Sequence, residues 1–156
     1  MYGWTGKILR VNLAKGTVDL EEVGAERLKD YIGARGLGVT YLLAEGDPAC
    51  DPLSPKSPLI MLTGPLTGTA APTGARYVVT TKSPLTGAIT VSNSGGQFPA
   101  AVKRCGIDGF IFEGAAEHPV YLVVTDGGKA ELRDARHLWG KDTHETDRLC
   151  REAVHK

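Results

Sequence analysis

At 156 residues the chain is one domain's worth of sequence, and its balance of 42% hydrophobic to 23% charged residues is that of a chain that buries a core. Its 18 Lys and Arg offset its 18 Asp and Glu, so bulk charge gives no bias toward nucleic acid or membrane surfaces. No apolar run approaches the length of a membrane span and no basic, then apolar, then small-residue leader opens the chain, so a cytoplasmic location is expected.

In chain order, Lys7–Leu13 alternates as a strand, Ala14-Lys15-Gly16 turns, and Thr17–Glu22 returns, predicting a β-hairpin. Glu26–Ile32 reads as a short helix stopped by Gly33, and Leu37–Ala44 as a second helix ended by Gly46-Asp47-Pro48. Asp51–Ser57 is a proline-bearing loop. Pro58–Thr63 is a continuous apolar run of strand length. Tyr77–Lys82 and Ala88–Ser92 are β-branched and strand-like. Gln97–Cys105 reads as a helix with Pro99 in its first turn. Gly109–Glu113, Val120–Thr125 and Lys129–Arg133 are three further strands, the last two joined by Asp126-Gly127-Gly128. Thr143–His155 is a terminal helix with Thr143 and Glu145-Thr146 as capping residues. The order ββααβββαβββα predicts an α+β fold with mostly antiparallel sheets and a few helices, in a single domain over 1–156. Pro-Leu-Thr-Gly recurs at 65 and 84, each time between two apolar strands, and reads as two similar turns more readily than as a duplication.

No Asp or Glu lies between Asp51 and Asp108, where uniform scatter would place about six. That gap holds Lys56, Arg76, Lys82, Lys103 and Arg104 among glycines, hydroxyls and amides. Such a composition suits a polyanion, most simply a phosphate-bearing cofactor. Arg76 follows a Pro-Thr-Gly-Ala loop at a strand start, where its planar fork of donors can clamp a phosphate or a conjugated heterocycle; a plain surface arginine is the competing reading. Asn93-Ser94-Gly95-Gly96 precedes a helix. Its glycines let backbone N–H groups approach an anion, and Asn93 offers an oxygen to a hard cation such as magnesium; a capping turn is the competing reading. Gly33-Ala-Arg-Gly-Leu-Gly38 follows a helix, so it fails the context of a dinucleotide fingerprint; Gly33 reads as a helix C-cap, Gly36 and Gly38 as close-packing positions.

Cys50, Cys105 and Cys150 are widely separated, with no Cys-x-x-Cys or Cys/His cluster, and read as free thiols of a reducing compartment. His118, His137, His144 and His155 have no second ligand at metal spacing and read as surface residues. Trp4 and Trp139 read as packing residues at the two ends of the domain. No nucleophile, paired-carboxylate or triad pattern stands out.

Met1-Tyr-Gly-Trp4, Ile8-Leu-Arg-Val-Asn-Leu13, Gly33–Gly38, Gly64-Pro-Leu-Thr-Gly68, Ala71-Pro-Thr-Gly-Ala-Arg-Tyr77, Thr81–Gly87, Ser92-Asn-Ser-Gly-Gly96, Gly114 through Tyr121 and Asp134 through Asp142 occur in one order along the whole chain. Together they resemble the N-terminal domain of the aldehyde ferredoxin oxidoreductases, which are tungsten- or molybdenum-pterin enzymes. The resemblance implies an α+β base on which a bis-pterin cofactor (tungstopterin or molybdopterin) rests. It implies that Arg76 bridges the pterin and a [4Fe–4S] cluster, that Asn93 helps hold the Mg2+ linking the pterin phosphates, and that Gly95, with Ser94 and Gly96 beside it, offers backbone to the cofactor. The family reaction is oxidation of an aldehyde to a carboxylic acid with ferredoxin as electron acceptor; related enzymes reduce aromatic thioesters. The chain corresponds to the opening part of a longer polypeptide. The cluster cysteines, later pterin segments and catalytic acidic and histidine residues therefore fall outside it, no catalytic residue is assigned within it, and the remaining domains and a homodimer are its expected partners. The competing function is a free-standing, non-catalytic pterin- or phosphate-binding module or small subunit on the same fold.

Overall fold

The computed structural model describes residues 3–154; Met1, Tyr2, His155 and Lys156 lie outside them. The opening hairpin forms as predicted, β1 (Lys7–Asn12) paired antiparallel with β2 (Thr17–Glu22). Then come α1 (Ala25–Tyr31), α2 (Ala34–Glu45), β3 (Leu59–Thr63), β4 (Tyr77–Lys82), β5 (Ile89–Ser94), α3 (Phe98–Arg104), β6 (Gly109–Glu113), β7 (Val120–Val124), β8 (Ala130–Asp134) and α4 (Thr143–Val154). The predicted element order holds throughout. Six strands form one sheet in the order β2-β1-β6-β3-β4-β5, and β7 and β8 form a separate two-stranded sheet. Among the described strands only β1 and β6 pair in parallel, so the fold is α+β and mostly antiparallel.

The central strands are apolar on consecutive residues because both sheet faces are covered. Ile8, Ile60, Leu62 and Ile111 face Leu28 of α1 and Leu37, Tyr41 and Leu42 of α2. Leu9, Val11 and Phe110 face the other way, onto Val102 of α3 and onto Leu122, Val124, Ala130 and Leu132 of the small sheet. Each fully buried leucine or isoleucine contributes about 2 kcal/mol. α2 lies close on the sheet because Gly38 has no side chain: a Cβ there would stand 2.7 Å from Thr80 Oγ1.

Several boundaries differ from the sequence expectation. α2 begins three residues early, at Ala34, because the Gly33–Gly38 run forms its first turn. Gly33 is therefore its N-cap, and Ile32 is the C-cap of α1. Gly36 and Gly38 are packing positions, as expected. β5 runs on to Ser94, so Asn93 and Ser94 are ladder residues and not a turn. The cap of α4 is Asp142, whose Oδ1 accepts the Glu145 N–H at 2.8 Å, in place of the expected Thr143. The Pro65–Gly68 and Pro84–Gly87 segments are turns of one kind, each closing on a glycine of left-handed φ, +77° and +70°. Trp4 packs against the core and donates from Nε1 to the Ile32 carbonyl at 2.5 Å. Trp139 instead stands 78% exposed, since the loop after β8 carries it away from both core clusters.

Candidate functional site

One end of the large sheet gathers the acid-free segment. β3 ends there and β4 begins there, with Thr63 opposite Tyr77, and β5 ends there, with Ser94 opposite Tyr77 on the other side. The loop from Gly64 to Arg76 bridges β3 and β4, and Gly95-Gly96 leaves β5 toward α3. Carrying the register one row past Tyr77 and Ser94 sets Arg76 across from Gly95. The structure agrees, since a Cβ on Gly95 would stand 3.4 Å from the Ala75 carbonyl. Asn93 pairs with Val78, two residues after Arg76, so strand alternation puts Arg76 and Asn93 on the sheet face that carries α2. Ser94 faces the opposite side with Tyr77.

Arg76, Asn93, Gly95 and Gly96, drawn from two separate sequence motifs, therefore form one exposed patch at the open end of the β4–β5 hairpin, with Ser94 exposed on the other face. The local reasons are identifiable. Thr67 is buried, and its hydroxyl donates toward the Gly74 and Arg76 carbonyls at 3.0 Å each, closing the loop. The Arg76 N–H donates to the Gly74 carbonyl at 2.9 Å, so the arginine's backbone is held while its side chain is open to solvent. Tyr77 meets Phe98 edge to face at 5.3 Å between ring centroids, anchoring the start of α3 next to the glycine pair. Gln97 is the N-cap of α3 and offers no side-chain cap bond. The expected capping turn is thus absent, and a strand end, rather than a helix terminus, presents the patch.

The donor set fits the group that the sequence motifs imply. A guanidinium, a carboxamide and bare glycine backbone converge with no acidic residue in their segment. Nothing lies within 4 Å of where a Gly96 side chain would stand, so a planar anionic ligand can lie against this backbone. Two other cations of the gap, Lys82 and Lys103, do not join the patch. Lys82 donates from Nζ to the carbonyls of Pro48 and Cys50 at 2.6 and 2.7 Å, at the far end of the sheet. Lys103 is buried in an ion pair with Asp108 and donates to the Gly3 carbonyl at 2.9 Å. An acid-free stretch of chain is thus not an acid-free volume: Asp108, one residue beyond the gap, folds back beneath the loop. Its carboxylate accepts the Thr5 and Gly6 N–H groups at 3.1 and 2.8 Å, and its carbonyl accepts the Thr63 N–H and hydroxyl at 2.8 and 2.7 Å. Sequence reasoning missed Thr67 and Asp108; a threonine between two glycines and the first acid after a long gap were the available signals.

The opposite end of the sheet carries the densest charge network. Arg10 pairs with Glu21, Glu45 and Glu113 at 2.5, 2.5 and 3.0 Å, tying the C-terminus of α2 to β1, β2 and β6. The Tyr41 hydroxyl donates to Glu21 at 2.6 Å; burial first, then this bond, raise the Tyr41 pKa above the ordinary phenol value. All three cysteines are free thiols, and burial, then Asp126, push the Cys105 thiol up, away from thiolate reactivity. Among the described residues no group of three His, Cys, Asp or Glu is placed to hold a metal, and His118, His137 and His144 are exposed. Among the same residues no helix is long and apolar enough to cross a membrane.

Residues 8–156 match the family model "Aldehyde ferredoxin oxidoreductase, N-terminal domain". The chain is 53% identical to the tungsten-containing aldehyde ferredoxin oxidoreductase of Pyrococcus horikoshii and 52% identical to that of Pyrococcus furiosus, each match covering 99% of this chain and 25% of the relative. It thus spans about a quarter of the length of these relatives. It superposes with a TM-score of 0.94, at 34% identity, on a chain of the active-site complex BamBC of benzoyl coenzyme A reductase, covering 99% of this chain and 23% of that one. With its α+β sheet and the Arg76–Asn93 patch at the sheet end, the chain belongs to the aldehyde ferredoxin oxidoreductase N-terminal domain family.

Proposed function

We propose that the chain, as one N-terminal domain, is the cofactor base of a tungsten- or molybdenum-pterin oxidoreductase that oxidises aldehydes to carboxylic acids. The observation that carries this reading is that Arg76 and Gly95 stand across from each other at the end of β4 and β5, with Asn93 two residues back on β5, all three exposed. In this reading Arg76 would hold the pterin and link it to a [4Fe–4S] cluster, whose cysteines would belong to the rest of the polypeptide. Asn93 would supply a carboxamide oxygen to the Mg2+ of the pterin phosphates, and Ser94, the next residue of β5, would offer backbone. Gly95 and Gly96 admit the ligand to backbone distance. The bound cofactor supplies the two-electron oxidation; this chain's residues bind it, neutralise its charge and hold it flat against a rigid strand pair.

Ferredoxin is the proposed electron acceptor, the remaining domains supply the aldehyde pocket, and the assembly is a cytoplasmic homodimer. The test is the intact polypeptide produced with tungstate or molybdate under anaerobic conditions. The reading expects one metal with pterin and magnesium per chain, and aldehyde oxidation coupled to ferredoxin reduction. Protein that is folded but carries neither metal nor pterin overturns it.

A further inference from the structure

We propose that Thr67 is the positioning residue for Arg76, its hydroxyl setting where the guanidinium stands. Thr67 is only 4% exposed. Its Oγ accepts the Gly64 N–H at 3.4 Å and donates toward the carbonyls of Gly74 and Arg76 at 3.0 Å each. The β3–β4 ladder pairs Thr63 with Tyr77, so the next row would set Gly64 opposite Arg76. The hydroxyl stands in that row as a relay, accepting from the first residue past β3 and donating toward the last residue before β4.

The other hydrogen bonds recorded within this loop are local. Thr67 N–H to Gly64, Thr69 N–H and hydroxyl to Leu66, Gly74 N–H to Ala71 and Arg76 N–H to Gly74 each span three residues or fewer. Among the described residues, the Thr67 hydroxyl makes the hydrogen bonds that join the start of the loop, at Gly64 and Thr67, to its end, at Gly74 and Arg76. The halves also pass closely: a Cβ on Gly74 would stand 2.7 Å from the Leu66 carbonyl. Without the hydroxyl, Arg76 keeps only its N–H bond to a neighbour two residues away, and its exposed side chain is free to swing with the loop. A buried hydroxyl that bridges two backbone groups is suited to pre-organisation, because it adds no charge and has no alternative partner in solvent.

The proposal rests on the reading of Arg76 as a cofactor contact, and the experiment separates the two. Thr67→Val, Thr67→Ser, Arg76→Ala and the Thr67→Val/Arg76→Ala double variant are made in the intact polypeptide, and metal and pterin bound per folded protein are measured. Amide exchange at Gly64 and Arg76 is read in the same samples, which reports only on folded molecules. Thr67→Val is expected to lose cofactor about tenfold, the scale of a lost supporting hydrogen bond, and to speed exchange at both amides. Thr67→Ser is expected to match the wild type, and the double variant to lose no more than Arg76→Ala alone. Normal cofactor content in Thr67→Val beside a deficient Arg76→Ala overturns the positioning role and leaves the cofactor reading standing. Normal content in both overturns the two together. A double variant that loses the product of the single losses also overturns the proposal, since Thr67 then acts elsewhere.

Discussion

The Lys103 ammonium and the Asp108 carboxylate form a buried ion pair, with side chains only 8% and 3% exposed, directly beneath the loop that carries Arg76. The pair joins the C-terminal turn of α3 to the start of β6, and through the Thr5 and Gly6 amides and the Gly3 carbonyl it ties down the N-terminal segment. A Cβ on Gly68 would lie 3.0 Å from Lys103 Cβ, so the loop rests on the lysine's stem.

Removing one member of such a pair strands a charge in a dry site. Lys103→Met or Asp108→Asn is expected to cost about 3 kcal/mol, read as a lowered denaturation midpoint. The Asp108 variant also weakens the two bonds its carboxylate accepts from the Thr5 and Gly6 N–H groups, so it is expected to be the worse of the two. Equal stability of either variant and the wild type would show that the pair is solvated.

Thr80 presents the reverse case. Its side-chain oxygen is buried without a hydrogen-bond partner, against the bare Cα of Gly38. Thr80→Val removes the unpaired hydroxyl at nearly constant shape and is expected to stabilise by about 1 kcal/mol. Gly38→Ala drives a methyl into the same contact and is expected to destabilise by about 1–3 kcal/mol. Opposite shifts in the two denaturant midpoints are the signature.

Acid stability follows from Glu21. Burial works to raise its pKa, but bonds from the Tyr41 hydroxyl and the Arg10 guanidinium prevail, and the carboxyl is held below its ordinary value. A lowered carboxylate stabilises fully above its unfolded pKa, near 4.3, and the contribution is lost as pH falls through the lowered value. Glu21→Gln is expected to cost about 0.5–1 kcal/mol at neutral pH, since the site is partly open to screening solvent. It should also flatten the stability curve below about pH 4.3. An unchanged acid limb would assign the titration to other carboxylates.

Gly95 separates binding from folding. Its backbone needs no left-handed φ, and a Cβ would meet only the Ala75 carbonyl at ordinary contact distance. Gly95→Val is therefore expected to leave the denaturation midpoint within about 0.5 kcal/mol while blocking close approach of the ligand, seen as loss of metal and pterin from the intact protein. Arg76→Ala should show the same dissociation of effects, because an exposed charge contributes about 0–1 kcal/mol to stability.

Elements were legible where periodicity or chain punctuation is local. The hairpin around Ala14–Gly16, the apolar strand before Gly64 and the glycine-closed turn between β7 and β8 follow from side-chain alternation and from φ preferences that act within a few residues. Boundaries failed where a distant partner decides them. β5 extends to Ser94 because β4 is there to pair with it, and α2 starts at Ala34 because its glycine-rich first turn fits over the sheet end.

The sequence by itself determined the element order, the α+β class and the family, and singled out Arg76, Asn93 and Gly95 as candidates, because motif chemistry and periodicity are written in neighbouring residues. Only the tertiary structure decided that these residues meet at one end of the β4–β5 pair, that Thr67 bonds across the loop that carries Arg76, and that Lys103 faces a buried carboxylate instead of a ligand. Those are relations between residues brought together by strand register and burial, and charge counted along a chain does not report charge in space.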